Sequence, residues 1–283
     1  MSKRLTAGRL IRDILFWIIV LVIAFYTLFP FYWAVASSLT PASQLFSTPV
    51  RYFPANPTLD SYRTVFANDL FRRALINSAF VAGSTVILSL LIGSFGAYAL
   101  GRLVFRGKSV VLYTILSMTM FPAIAILGSL FTMVRTLGIY NTPYALILTY
   151  LTFTLPFTVW VLSNFFKSLP AELEQAAFVD GATPFQTFYM ILLPLTAPGL
   201  VTTGLLAFIE AWNEFLYALT FTIDANARTV PVAIAYFTGE QQFEIPWADI
   251  MAATVVVTIP LVVLVLVFQQ RLVEGLTAGA VKG

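Results

Sequence analysis

The stretch ILFWIIVLVIAFYTLFPFYWAVA, residues 14–36, carries no charged side chain and decides the class of fold. As a helix rising about 1.5 Å per residue it is long enough to cross the roughly 30 Å hydrocarbon core of a bilayer. Lys3, Arg4, Arg9 and Arg12 precede it, and Ala34-Val35-Ala36 has the small-x-small form of a signal-peptide cleavage site. A signal peptide has an apolar core of only about 7–15 residues, so this run reads as an uncleaved first membrane helix.

Five more such runs follow, at residues 77–100, 110–134, 143–166, 195–223 and 250–269. The 283 residues are 59% hydrophobic and 10% charged, and the mean hydropathy is +0.87. A soluble domain has about 25% charged residues, so lipid must cover the apolar excess. Backbone in lipid has to satisfy its own hydrogen bonds, and these runs are too long for barrel strands. The expected fold is therefore all-α, with six transmembrane helices. Without an internal repeat or a low-complexity linker, residues 1–283 form one membrane domain.

Composition also removes several functions. The chain has neither cysteine nor histidine, which excludes disulfides, thiolate metal sites, Cys/His nucleophilic pairs and the usual zinc ligands. Its net charge of +3 is too small and too scattered for nucleic acid. A phosphate-binding loop of the form GxxxxGK[ST] is missing, as is any catalytic triad, so no chemistry is expected of the chain itself.

The loops set the orientation. With the amino terminus inside, the cytoplasmic segments hold Lys3, Arg4, Arg9, Arg12, Arg102, Arg106, Lys108, Lys167, Arg271 and Lys282. The outer segments hold Arg51, Arg63, Arg72, Arg73, Arg135 and Arg228. The bias is strongest in the short segments that obey the positive-inside rule best, so both termini are expected in the cytoplasm. The outer segments 37–76 and 224–249 are too small to be receptors, which assigns substrate capture to another protein.

The inner loop 168–194, SLPAELEQAAFVDGATPFQTFYMILLP, parses as two short helices around a sharp joint. Pro170 suits a first turn, and Glu172 and Glu174 favour the positive end of a helix dipole. Gly181 ends the first helix in a left-handed conformation; Thr183 caps the second, with Pro184 at its first position and Gln186 completing a capping box. Ala171, Ala176, Ala177 and Gly181 permit close approach, while Glu172 and Gln175 share a face. Such a knob is suited to docking in a partner's cleft. The alternative is an amphipathic helix lying on the bilayer, which the acidic residues and scarce Lys/Arg oppose.

This loop resembles the EAA loop of ABC importer permeases, whose pattern is E-A-A, three residues, Gly, nine residues, I-x-L-P. Gln175-Ala176-Ala177, Gly181, Ile191, Leu193 and Pro194 keep that spacing, with Gln175 in place of the leading Glu. The resemblance extends to PANPTLDSY (54–62), Asn77-Ser78, Ala97-Tyr98-Ala99 with Arg102 and Phe105, TMFP (119–122) and QQRLVEGLTAGAVKG (269–283). Within the carbohydrate-uptake branch it is most similar to maltose-permease G-type subunits and their trehalose-uptake relatives, to which PVAIAYFTGEQQF (231–243) and APGLVT (197–202) lean.

The resemblance implies a subunit of the bacterial plasma (inner) membrane that pairs with a second homologous permease, two ATPase subunits and an extracytoplasmic sugar-binding protein. It would bind no cofactor; ATP and Mg would sit in the ATPase subunits. Coupling to them would fall to Glu172, Glu174, Gln175, Ala176, Ala177, Asp180, Gly181 and Pro194, with Glu172 able to supply the charge that Gln175 lacks. Phe237, Thr238, Gly239, Glu240 and Gln241 would form a scoop that probes the binding protein, where the residues alone equally allow a solvated turn. The tail 270–283, with Gly275, Gly279 and Lys282, would lie along the ATPase dimer. The implied substrate is a disaccharide such as trehalose or a maltose-like α-glucoside.

One polar cluster falls inside an apolar run: Glu210, Trp212, Asn213 and Glu214. An ionised side chain near the bilayer centre costs on the order of 3 kcal/mol, so these groups need a shared cavity or interface. Glu210 and Glu214, four residues apart, are expected on one helical face. Asn and Glu suit sugar hydroxyls and Trp offers a stacking face; helix–helix bonding or a gate is the other reading. Two rival functions remain from the residues alone, an ion-coupled secondary transporter drawing on these carboxylates and a non-transporting membrane scaffold.

Overall fold

A computed structural model describes the backbone over residues 7–237 and 245–278. In chain order the helices are α1 (Ala7–Ser38), α2 (Asp60–Ala67), α3 (Asp69–Gly101), α4 (Lys108–Met118), α5 (Ala123–Thr136), α6 (Pro143–Ser168), α7 (Glu172–Val179), α8 (Pro184–Gln186), a π-helical segment (Thr187–Leu192), α9 (Leu193–Leu195), α10 (Ala197–Asn213), α11 (Leu216–Phe221), α12 (Val230–Ala235) and α13 (Trp247–Ala278). No strand occurs among the described residues. The all-helical expectation is met.

Four of these helices are long and apolar enough to cross a bilayer: α1, α3, α6 and α13. Two further candidates are bent pairs. The run 110–134 is not one rod: α4 and α5 meet at 94°. Pro122 explains the break, since it has no N–H to continue the helix and sits extended at φ −61°, ψ 129°. The run 195–223 is interrupted at both ends. The segment Pro184–Leu195 turns by 73° into α10, and α10 stops at Asn213 because Glu214 is extended (ψ 129°). Two runs are also longer than hydropathy indicated. Helix α3 starts at Asp69, and α13 continues through Gly275, so the tail expected from residue 270 begins as helix. Gly279 and Lys282 lie outside the described residues.

The chain divides into two compact units, Met1–Asn68 with Phe237–Thr258, and Asp69–Tyr236 with Ile259–Gly283. In the first, α1 exposes apolar side chains almost throughout. The segment after α1 folds back on its carboxyl end. Tyr32 donates to the Tyr52 carbonyl (2.6 Å), Ser38 and Tyr62 share a hydroxyl bond (2.7 Å), and Tyr32 meets Phe53 edge-on.

The second unit is built on α3 and α6, which pack along their lengths with α10 laid across them. Small residues on α3, Gly93, Gly96 and Gly101 among them, permit this approach. A β-carbon at Gly93 would lie 2.6 Å from Thr158 Cγ2, and one at Gly101 would lie 2.8 Å from Phe166 Cβ. Helix α10 repeats the device with Gly199 against the Phe165 ring. Two buried threonines on α6 are satisfied within the helix, Thr149 by Ala145 O and Thr154 by Tyr150 O, so the apolar core tolerates them. The segment between α11 and α12 is tied to α3 by Asn77, which donates to the carbonyls of Asn226 (2.7 Å) and Arg228 (3.0 Å), and the start of α12 by Ser78, which accepts from Val230 N (2.9 Å).

Candidate functional site

The loop 168–194 folds as its punctuation dictates. Helix α7 ends at Val179, and Gly181 turns left-handed (φ +82°) so that its N–H reaches Phe178 O and the Ala182 N–H reaches Ala177 O. Thr183 Oγ1 then accepts from Gln186 N while Gln186 Oε1 accepts from Thr183 N, a complete capping box with Pro184 at the first position. Behind it Phe188 and Leu192, on the π-helical segment, join Ala97, Leu162 and Phe166 in one buried cluster. The rings of Tyr98, Phe166 and Phe188 pack at 5.0 to 6.0 Å.

This base leaves one face of α7 free. Glu172, Gln175, Ala176 and Val179 are exposed at helical spacing, followed by Asp180 and Gly181, and Ala177 is buried beneath them. Val179 is 87% exposed and Phe178 48%, a high value for apolar groups beside charged neighbours. Glu174 departs from its expected place on that surface. Its carboxylate accepts from Arg102 Nε at 2.8 Å, and the two side chains are only 17% and 9% exposed. Pro194 begins the turn into α10 and is not part of the exposed face.

The second grouping surrounds an open cavity of roughly 530 Å³ lined by the α4–α5 corner, α6 and the α10–α11 break. Glu210, Asn213 and Glu214 all line it, with Thr119, Thr152, Phe153 and Tyr217. The shared cavity is there, but the shared helical face is not. Because α10 ends at Asn213, Glu214 instead closes the first turn of α11, accepting from Tyr217 N (2.7 Å) and Ala218 N (3.0 Å). Among the described residues Glu210 has no hydrogen-bond partner and is exposed to the cavity, while Asn213 donates Nδ2 to Ile209 O and its side-chain oxygen accepts no bond. Trp212 is absent from the lining. It is buried, stacked on Phe208 with centroids 5.5 Å apart.

Thr119, Thr152 and Tyr217 escaped the sequence reading, since no local pattern announces a corner that brings them together. Phe237 ends the described stretch after α12; Thr238, Gly239, Glu240 and Gln241 lie outside the described residues. No cluster of carboxylates that could hold a metal ion occurs among the described residues.

The backbone defines the class. It matches a chain in the crystal structure of a bacterial ABC transporter involved in the import of the acidic polysaccharide alginate, with a TM-score of 0.82 over 95% of this chain and 99% of that one. At 22% identity the match establishes the fold, that of an ABC importer permease.

The chain belongs to the family of binding-protein-dependent transport system inner membrane components, whose model matches residues 89–277. It is a multi-pass, non-catalytic permease subunit of the inner membrane. Among its relatives, the trehalose transport system permease protein SugB of Mycobacterium tuberculosis is 46% identical over 258 residues, covering 91% of this chain and 93% of that protein. The trehalose/maltose transport system permease protein MalG of Thermococcus litoralis is 42% identical over 275 residues, covering 96% and 98%.

Proposed function

We propose that this chain is one of two permeases lining the pathway of an ATP-driven sugar importer, with six spans and both termini in the cytoplasm. Its partners are a second homologous permease, two ATPase subunits and an extracytoplasmic sugar-binding protein. The observation that carries the coupling is the exposed face of α7, mounted on a buried aromatic base at the expected spacing of the EAA loop. ATP binding closes the ATPase dimer, α7 moves with it, and the paired permeases turn outward to accept sugar; hydrolysis resets them.

Glu172, exposed on the same face as Gln175 and without a partner among the described residues, supplies the charged contact to the ATPase. Gln175, Ala176, Ala177, Asp180 and Gly181 shape the surface that enters its cleft. The cavity beside Glu210 and Asn213 is this subunit's share of the pathway. Residues 237–241 contact the binding protein, and the tail that carries Gly275, Gly279 and Lys282 contacts the ATPase dimer.

The substrate we assign is a disaccharide, trehalose or a maltose-like α-glucoside, on the strength of the two relatives described above. Reconstitution with the partner subunits and binding protein tests this. Sugar-dependent stimulation of ATP hydrolysis should single out such disaccharides from a panel. Uptake driven by an ion gradient without an ATPase would instead establish a secondary transporter, and no transport at all would leave a scaffold.

A further inference from the structure

Helix α7 is joined to α6 by a short extended linker: Leu169 has ψ 141° and the next helical residue is Glu172. That linker alone does not fix the attitude of α7 under an applied load. Arg102, just past the last residue of α3, bridges the joint. Its Nη1 donates to Leu169 O (2.8 Å) and Phe166 O (3.4 Å), Nη2 to Pro170 O (3.3 Å), and Nε to the Glu174 carboxylate (2.8 Å).

One planar guanidinium thus gathers the Phe166 carbonyl near the end of α6, the Leu169 and Pro170 carbonyls of the linker, and a first-turn carboxylate of α7. The Arg102 side chain is 9% exposed, so solvent screens the pairing little. Lys108 reinforces the corner by donating to Gly101 O and Leu103 O, which fixes the end of α3 from which Arg102 projects. Glu174, unlike Glu172, is thereby withdrawn from any outside partner.

We propose that Arg102 is a positioning residue for energy coupling, a strut that holds α7 through Glu174 at a set attitude to α3 and α6. Force received on α7 then moves those two helices as a body, where the unbraced loop would flex at residues 169–171. This rests on the assignment of α7 as the ATPase contact. An ammonium group cannot reproduce the fork: Lys at position 102 keeps the charge but reaches fewer of the four acceptors.

The test uses the complete transporter with its binding protein in proteoliposomes, read as sugar moved per ATP hydrolysed. Arg102→Lys and Glu174→Gln should each lower that ratio about tenfold, as for a partly desolvated charge-assisted bond, and the double variant should be no worse than either. Exchange of the pair, Arg102→Glu with Glu174→Arg, should recover part of the loss from Arg102→Glu alone. Wild-type ratios in both single variants, or strictly additive losses, would overturn the proposal. Should Arg102→Lys fail to assemble, Glu174→Gln, which leaves the carbonyl contacts in place, decides alone. If neither assembles, the pair is merely structural and the strut is refuted. Ala176→Arg on the exposed face separates the two levels of inference. If it leaves transport intact, docking through α7 is wrong; if it abolishes transport while the strut variants do nothing, only the strut is wrong.

Discussion

Ser89 and Thr158 share a hydrogen bond of 2.7 Å between two buried hydroxyls, and Gly93, one turn along α3, lies against the same threonine. Helices α3 and α6 are thus joined by a polar pair beside one of their close approaches. Replacing Gly93 with Val drives a β-carbon to 2.6 Å from Thr158 Cγ2 and forces the helices apart. Overpacking of this kind costs about 1–3 kcal/mol. Thermal unfolding in detergent should show a clear fall in Tm for Gly93→Val. Gly83→Ala, where nothing lies within 4 Å, should show none.

Glu214 has a structural duty independent of any ligand. Its carboxylate serves the Tyr217 and Ala218 N–H groups that open α11. Glu214→Ala should destabilise the subunit by about 0.5–2 kcal/mol, the range for a lost helix cap, and Glu214→Gln by less. Unfolding midpoints of the purified permease pair check both.

The loop around residue 226 is held to α3 by Asn77. Asn77→Ala removes bonds to two carbonyls at once, worth about 0.5–1.5 kcal/mol each. Amide exchange over residues 223–230 should accelerate in that variant while the α3–α6 core stays protected. Unchanged exchange in the loop would mean that other contacts hold it.

At the cavity, the free groups differ from their neighbour. Glu210→Gln and Asn213→Ala should raise the KM for sugar uptake roughly threefold to tenfold, the effect of one hydrogen bond. Trp212→Phe, at a residue that does not line the cavity, should lower stability and leave KM unchanged. A KM shift for Trp212→Phe alone would relocate the pathway.

The loop 168–194 was legible residue by residue because its signals are local. Gly181, Thr183, Pro184 and Gln186 each act on backbone within four positions. The α4–α5 corner was not, since hydropathy averages over a window and carries no direction; Pro122 was the one mark of it. The pairing of Arg102 with Glu174 spans 72 residues and follows from α3 lying on α6, which no local pattern encodes. The placing of Glu210 and Glu214 on one face failed for a related reason. It assumed that α10 continued past Asn213, whereas Glu214 is drawn off to cap the next helix.

The corner at residues 119–122 also changes what the membrane interior offers. Thr119, Met120 and Phe121 donate their N–H groups back to α4, but no backbone N–H among the described residues reaches their carbonyls. Bare peptide oxygens at membrane depth are sustainable only beside protein or a water-filled space, and Thr119 and Phe121 line the cavity. A stretch that is apolar by side chain therefore presents acceptors by main chain. On the proposed pathway, hydroxyl-rich cargo would meet there groups that no substitution of side chains would remove.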